Sequence, residues 1–261
     1  MRLARSSYYY RARSKAGEPS ELLQRIRTIR ERWPGYGYRR VTVQLRREGL
    51  CINHKRVARL MRMHGLLAQP PRRFVATSDG ASGAVFPNRA AGFTPTAADQ
   101  LWVADLTYIS LHSGFVFMAA ILDAFSRRVI GYALARHMGT QLTLCALKAA
   151  LRVRRPAPGC IHHSDRGSQY GALEYRKLLQ EHGLIGSMSR RGNPYDNAQA
   201  ESFMKTLKYE EIYLKRYESF EHVCRELPHF IEQVYNTERL HSALGYLSPS
   251  EFETLHARVA A

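Results

Sequence analysis

Trp102-Val-Ala-Asp-Leu-Thr-Tyr-Ile109 reads as a β-strand that is apolar on both faces except at Asp105 and Thr107. A strand of that kind belongs in the middle of a sheet with both faces covered, and a buried strand rarely carries an unpaired charge without a use for it. Working outward, Leu101 to Ser110 and Gly114 to Asp123 are strand-like and joined by a turn at His112-Ser-Gly114, with a third strand near Arg128 to Leu134. These three form an antiparallel meander. Beyond it the pattern changes to a helix near Thr140 to Arg152, a strand near Gly159 to His163, a helix near Ala172 to His182 and a short strand near Leu184 to Met188. Alternation of that type implies parallel pairing, so the expected core is a mixed α/β sheet of five strands covered by helices. Helices at Asn197 to Glu210 and Ser219 to Tyr235 complete it.

Two more carboxylates draw attention once Asp105 has. Asp165 follows a short apolar strand in Ile161-His-His-Ser-Asp-Arg-Gly-Ser168, where a strand end meets a glycine-containing turn, a favoured active-site position in α/β sheets. Glu201 sits on a helix whose apolar face is Ala200, Phe203, Met204 and Leu207, with Asp196 and Gln199 expected to form a capping box at its start. Carboxylates from three elements converge only through tertiary structure, and their shared ligand is a hard divalent cation. Mg²⁺ fits and Mn²⁺ would substitute, with two ions expected for phosphodiester displacement. Turn, cap or ion-pair roles account for any one of these residues taken singly. Asp123 is a fourth carboxylate, expected to close the second strand or to pair with Arg127 or Arg128, with a metal role as the alternative.

The front of the chain is built differently. Leu22, Ile26, Ile29 and Trp33 fall at i, i+4, i+7 and i+11, one face of a helix that Pro34-Gly35 ends. A shorter helix from about Arg40 to Glu48 stops at Gly49, and a third starts with Asn53 as cap and stops at Gly65. That is a helix-turn-helix outline, in which Val57, Leu60 and Met61 pack while Lys55, Arg56, Arg59 and Arg62 offer a cationic surface. A helical hairpin with a solvated basic face is the competing account. From about Ala76 to Ala98 the chain is rich in Ala, Gly, Ser, Thr and Pro and reads as a linker. The expected division is a basic segment over 1–20, a helix-turn-helix domain over 21–75, the linker over 76–98, a catalytic core over 99–215 and a helical extension of it over 216–261.

Charge supports a polyanionic partner. The formal net charge is +17; residues 1–75 hold 19 Lys or Arg against 4 Asp or Glu, a net of +15, and the remaining 20 against 18 leave +2. Each phosphate that a cation neutralises releases counterions and favours binding, so DNA is the expected partner. Cys51, Cys145, Cys160 and Cys224 lack any Cys-x-x-Cys pair, which excludes a zinc ribbon and gives no disulfide framework. The longest apolar run, Phe115 to Leu122, is eight residues, against about 20 for a membrane span. Without an apolar signal segment after Met1, the expected compartment is the bacterial cytoplasm, beside the nucleoid.

Spacing then makes a resemblance specific. The interval from Asp165 to Glu201 is 201 − 165 = 36, leaving 35 residues between, the spacing of the DDE integrases and transposases. His163-Ser-Asp-Arg-Gly-Ser-Gln-Tyr170, Ser187-Met-Ser-Arg-Arg-Gly-Asn193 and Tyr195-Asp-Asn-Ala-Gln-Ala-Glu-Ser-Phe203 resemble the integrase core of the insertion-sequence three family. So do Leu122-Asp-Ala-Phe-Ser-Arg-Arg128, the tail His241-Ser-Ala-Leu-Gly-Tyr-Leu-Ser-Pro249 and the early Gly35-Tyr-Gly-Tyr-Arg-Arg40.

The resemblance implies a ribonuclease-H-like fold with Asp105, Asp165 and Glu201 as catalytic metal ligands. It implies cleavage at transposon 3′ ends by water and then attack of the freed 3′-hydroxyl on another phosphodiester. It further implies a homo-oligomer, at least a dimer on DNA, and an upstream-frame partner or fusion made by frameshifting. His162 and His163 are expected to act as positioning groups beside the carboxylates. Arg190, Arg191, Asn193, Tyr195 and Asn197, in the loop before the Glu201 helix, are expected to touch DNA, with plain turn chemistry as the competing account. Lys205 and Lys208 follow Glu201 by four and seven residues and so share its helical face. Two other readings compete: a catalytically silent DNA-binding regulator with the same basic front end, and a ribonuclease-H-like nuclease.

Overall fold

The computed structural model describes residues 20–68, 86–112, 114–190 and 193–260. The chain divides into two compact units, Met1–Pro70 and Pro71–Ala261.

In the first unit, α1 (Ser20–Arg32), α2 (Tyr38–Arg47) and α3 (His54–Met63) pack around Ile26, Ile29, Val41, Leu45, Val57, Leu60 and Met61. α1 stops before Pro34, and the freed carbonyls of Pro34 and Tyr36 accept from the Arg30 guanidinium, the latter at 2.8 Å. α2 starts at Tyr38, two residues earlier than the sequence pattern suggests. Gly49 (φ +87°) follows its end, a left-handed position where glycine alone escapes a Cβ penalty. Asn53 Oδ1 accepts the Lys55 N–H at 2.9 Å and caps α3 as expected.

The second unit is a five-stranded sheet in the order β3-β2-β1-β4-β5, made of β1 (Leu101–Leu111), β2 (Gly114–Asp123), β3 (Val129–Ala135), β4 (Ile161–Ser164) and β5 (Ile185–Met188). β1 pairs antiparallel with β2 along its length, and parallel with β4 only over 101–104. From Asp105 onward β1 therefore borders a cleft on the β4 side. On one face of the sheet lie α4 (Thr140–Arg154) and α5 (Leu173–Glu181), packed on Trp102, Ala104, Ile121 and Ile130. Gly131 permits the close approach of α4, since a Cβ there would stand 2.5 Å from the Ala146 carbonyl oxygen. On the other face α6 (Ala198–Leu207) and α7 (Phe220–His229) bury Phe203, Leu207, Val223 and Leu227 against Val103, Ile109, Val116 and Met118.

Both helices on that face widen. α6 runs into a π-helical segment over Lys208–Ile212, and α7 into one over Phe230–Glu238. Pro228 inside α7 lacks an N–H and crowds the preceding turn, and the change to i→i+5 bonding directly after it relieves that conflict. The second π segment presents Asn236, whose side chain bonds both the N–H and the carbonyl of Val129 at 2.9 Å, as a neighbouring strand would. A last helix, α8 (Pro249–Ala260), is fastened by Glu253, which pairs with Arg128 at 2.9 Å and with Arg154 and accepts from Ser126 at 2.7 Å.

Of the two roles expected for Asp123 the structure shows the first: its oxygens accept the N–H groups of Asp99, Phe125 and Ser126, closing β2 into the following turn, and its carboxylate pairs with neither Arg127 nor Arg128. Two local expectations need correction. Asp196 does not cap α6; Asn197 occupies the cap position, without a side-chain cap bond, and the Asp196 carboxylate is engaged by Arg190. The later part of the segment read as a linker lies against the sheet edge: the Arg89 N–H donates to Ser187 Oγ at 2.9 Å, and the Phe86 ring fills the space over Gly186.

Candidate active site

Asp105 stands where β1 loses its β4 neighbour, and strand alternation puts it on the α6 side with Val103 and Thr107. Its Oδ1 accepts the Leu106 N–H at 2.9 Å. Burial, with Asp165 and then Glu201 nearby, pushes its carboxyl up to about 7, against the opposing pull of the Leu106 N–H and the Lys208 ammonium. Asp165 follows the last residue of β4, next in line from Ala104 across the β1–β4 ladder. It accepts the Gly167 N–H at 2.9 Å, and burial holds its carboxyl above the ordinary range. Glu201, in the first turn of α6, is raised by burial and by Asp165.

The three carboxylates thus share one electrostatic field. They do not yet share a ligand shell: among the described residues no three His, Cys, Asp or Glu side chains stand close enough to hold an ion as placed. Asp105 Oδ1 and Asp165 Oδ1 are each engaged by a backbone N–H, and Glu201 is exposed.

The loop before α6 has a definite construction. Arg190 binds Asp196 with Nη2 at 3.1 Å and Nε at 3.2 Å while its own N–H donates at 2.8 Å, and Asn193 Nδ2 adds a bond at 3.3 Å. Asn197 is buried, and its Nδ2 donates to the Ala104 carbonyl at 2.9 Å. That bond ties the start of the helix bearing Glu201 to the residue before Asp105. Arg190 and Asn193 are therefore engaged in shaping the loop, and Asn197 has no exposed surface to offer DNA. Arg191 and the side chain of Tyr195 lie outside the described residues.

The two histidines part company. His163 shares the Asp105 face and bridges Ser187 Oγ at 2.8 Å and Ser189 Oγ at 3.1 Å, joining β4 to the end of β5. His162 points to the opposite face, where it meets the Tyr175 hydroxyl at 3.0 Å and burial pushes it down to about 4. It is a neutral core residue, away from the carboxylates. Sequence reasoning missed Arg166, whose Nε donates to the Ser189 carbonyl at 2.9 Å and so fixes the Asp165 turn on β5. It missed Tyr170 too, buried near Asp165 and Asp105 with its hydroxyl raised well above the usual range, chiefly by burial. Lys205 is exposed on α6, and Lys208 starts the π segment with Nζ 4.8 Å from the Tyr108 ring centroid. In the first unit Lys55, Arg56, Arg59 and Arg62 are all exposed on α3, opposite its buried face.

A five-stranded mixed sheet with an Asp on its central strand, an Asp after β4 and a Glu on a covering helix is the ribonuclease-H-like integrase core. Family models described as integrase core domain match residues 95–194 and 182–249, and one described as an HTH-like domain matches 18–74. A 31 kDa protein of insertion element IS600 from Shigella sonnei is 39% identical, over 99% of this chain and 98% of its own. The transposase InsF for insertion sequence IS3A of Escherichia coli is 38% identical over 84% of this chain and 76% of its own. The chain belongs to this family of insertion-sequence transposases, with a DDE-type integrase core. Its fold is also similar to a chain of the simian T-cell lymphotropic virus intasome, with a TM-score of 0.51 at 11% identity over 88% of this chain and 74% of that one. Among the described residues no helix is long and apolar enough to cross a membrane.

Proposed function

We propose that this chain binds the ends of its insertion sequence, cleaves them at the 3′ ends and joins the 3′-hydroxyl to target DNA, with Asp105, Asp165 and Glu201 as the catalytic carboxylates. The observation that carries this reading is electrostatic. Asp105 is lifted to about 7 by burial first and then by the charges of Asp165 and Glu201, and carboxyls from three elements brought into one such field are the mark of a functional site. The donor set fits Mg²⁺ or Mn²⁺, being all carboxylate oxygen. Asp105, Asp165 and Glu201 would hold the metal, after coming closer together than they stand. When bound, two such ions supply positive charge to the attacking and leaving oxygens of the phosphodiester.

The remaining work belongs to the chain itself. The bond from Asn197 to Ala104 fixes the helix bearing Glu201 relative to the strand bearing Asp105. The Arg190 and Asp196 pair shapes the loop at its entrance, and Arg191, Asn193 and Tyr195 of the same stretch of sequence are the candidate contacts to the terminal nucleotides. Lys205 and Lys208 offer ammonium groups to phosphates on the Glu201 side, and α3 supplies the recognition surface for the terminal repeat through Lys55, Arg56, Arg59 and Arg62. The protein works as a homo-oligomer on DNA, in the cytoplasm.

The test is a cleavage assay on a duplex carrying the element's terminal inverted repeat. The wild type is expected to cut at the 3′ end in Mg²⁺ and not in EDTA, and Asp165→Asn to bind the same duplex without cutting it. Cleavage by Asp165→Asn at the wild-type rate contradicts the assignment and favours neither competing reading. Binding without cleavage by the wild type points to the silent regulator.

A further inference from the structure

Beside the carboxylates lies a patch that the cleavage chemistry does not use. Four aromatic side chains are exposed among the described residues, and three of them, Tyr108 (39%), Phe115 (54%) and Tyr213 (56%), gather at one place. Tyr108 and Phe115 meet edge to face across the β1–β2 hairpin with ring centroids 5.4 Å apart, and Phe117, opposite Tyr108 in the ladder, lies 6.4 Å from Phe115. Tyr213 lies within electrostatic range of Tyr108 and packs edge-on against Tyr209 at 5.4 Å. Lys208 stands between the hairpin and the π segment, its ammonium over the Tyr108 ring. The result is a cluster of exposed rings, set edge to face, with a cation among them.

Its position is defined by β1. Tyr108 is three residues beyond Asp105 on β1, about 10 Å along the strand at about 3.3 Å per residue; the odd offset starts its side chain on the α4 side of the sheet with Phe117, where β1 has no β4 neighbour and Lys208 spans from the field of Asp105 to the Tyr108 ring. That distance along the strand equals about three nucleotide steps at the 3.4 Å rise of B-form DNA. An aromatic face stacks on a base only where the base face is bare, which in a duplex means its end or a place where pairs have opened. Packing inside the chain does not explain exposure of this extent, and a lysine among the rings suits a phosphate-bearing occupant better than a purely apolar one.

We propose that Tyr108, Phe115 and Tyr213 form a stacking shelf for unpaired bases of the DNA strand that runs past the carboxylates, two or three nucleotides from the scissile phosphate, with Lys208 on the adjoining backbone. This rests on the phosphoryl-transfer reading of Asp105, Asp165 and Glu201. It adds a substrate preference, for ends that are frayed or opened.

The test uses the full chain in EDTA, where metal-dependent cleavage is absent, and compares three probes of equal length. One is a blunt duplex, one carries a five-nucleotide thymidine tail, and one carries a tail of five abasic nucleotides with the same phosphates. The thymidine-tailed probe is expected to bind about tenfold tighter than the abasic one, the fold-change that about 1.4 kcal/mol of base stacking represents. The pair Tyr108→Ala and Phe115→Ala should erase that difference, and Tyr108→Phe should keep it, since a ring is retained. Equal binding of the two tailed probes by the wild type overturns the shelf, because charge alone then explains the affinity. So does an alanine pair that keeps the tail preference while changing the sedimentation of the free protein, which would make the patch a contact between copies. Failure of the carboxylate reading shows separately, as unimpaired cleavage by Asp165→Asn in Mg²⁺.

Discussion

Replacing Asp105 by Asn should make the metal-free protein more stable while abolishing cleavage. In the folded chain the Asp105 carboxyl is raised from 3.8 to about 7, by burial first and by Asp165 and Glu201 after it. At about 1.36 kcal/mol per pKa unit, that difference of about 3 corresponds to at most about 4 kcal/mol; solvent at the open side of the cleft reduces the usable part to about 2 kcal/mol. Because the folded state binds this proton more tightly than the unfolded one, the penalty is absent below about pH 4, grows as pH rises and is complete above about pH 7. Asn carries no charge, and its side-chain oxygen can still accept the Leu106 N–H. Thermal melts of the two proteins in EDTA should therefore coincide near pH 4 and separate by about 4–8 °C at pH 8, at about 2–4 °C per kcal/mol for a unit of this size. Adding Mg²⁺ at pH 8 should reverse the order: the wild type gains about 2.7 kcal/mol at a hundredfold excess over Kd, and the variant gains little. A variant that melts below the wild type at pH 8 in EDTA, or that Mg²⁺ stabilises equally, refutes the reasoning.

Lys208→Ala should weaken binding to a terminal-repeat duplex and slow end cleavage, and Lys208→Glu should do so more severely, because a like charge then meets the phosphate; end cleavage at the wild-type rate by both variants removes the DNA contact. Arg239→Ala strips the bidentate partner, with both bonds at 2.7 Å, from the largely buried Glu210, and should cost about 3–5 kcal/mol in denaturant unfolding, with part regained on adding Glu210→Gln. Replacing Lys55, Arg59 and Arg62 by Ala should lower the slope of log affinity against log salt by about 0.9 for each phosphate that is no longer neutralised; an unchanged slope makes that face of α3 a solvated surface.

Much of this architecture is legible in the sequence because it is local. Period-two alternation marks β1 and β2, the i, i+4, i+7 pattern marks α1, and Asn53 announces the start of α3, each within a dozen residues. The 35-residue interval and its flanking motifs are enough to single out Asp165 and Glu201. What local pattern misplaces is settled over long range. Asp196 has the look of a helix cap, but the arginine six residues upstream reaches it with a stronger, charged bond. Glu210, inside the π segment that starts at Lys208, meets Arg239, 29 residues on, and the fastening of α8 depends on Arg128 and Arg154, some hundred residues before Glu253. The two adjacent histidines carry the same label in sequence, and strand alternation sends them to opposite faces. Phe86 reads as linker because its partner, Gly186, is a hundred residues away.

Strand transfer is the most direct measure of the central claim. Duplexes ending in the element's terminal repeat, with a recessed 3′-hydroxyl, are incubated with supercoiled plasmid in Mg²⁺, using the wild type and Glu201→Gln at equal bound fraction. The account predicts joined products from the wild type and none above background from Glu201→Gln, because only the carboxylate charge has been removed. Joined products from Glu201→Gln at the wild-type level would contradict it.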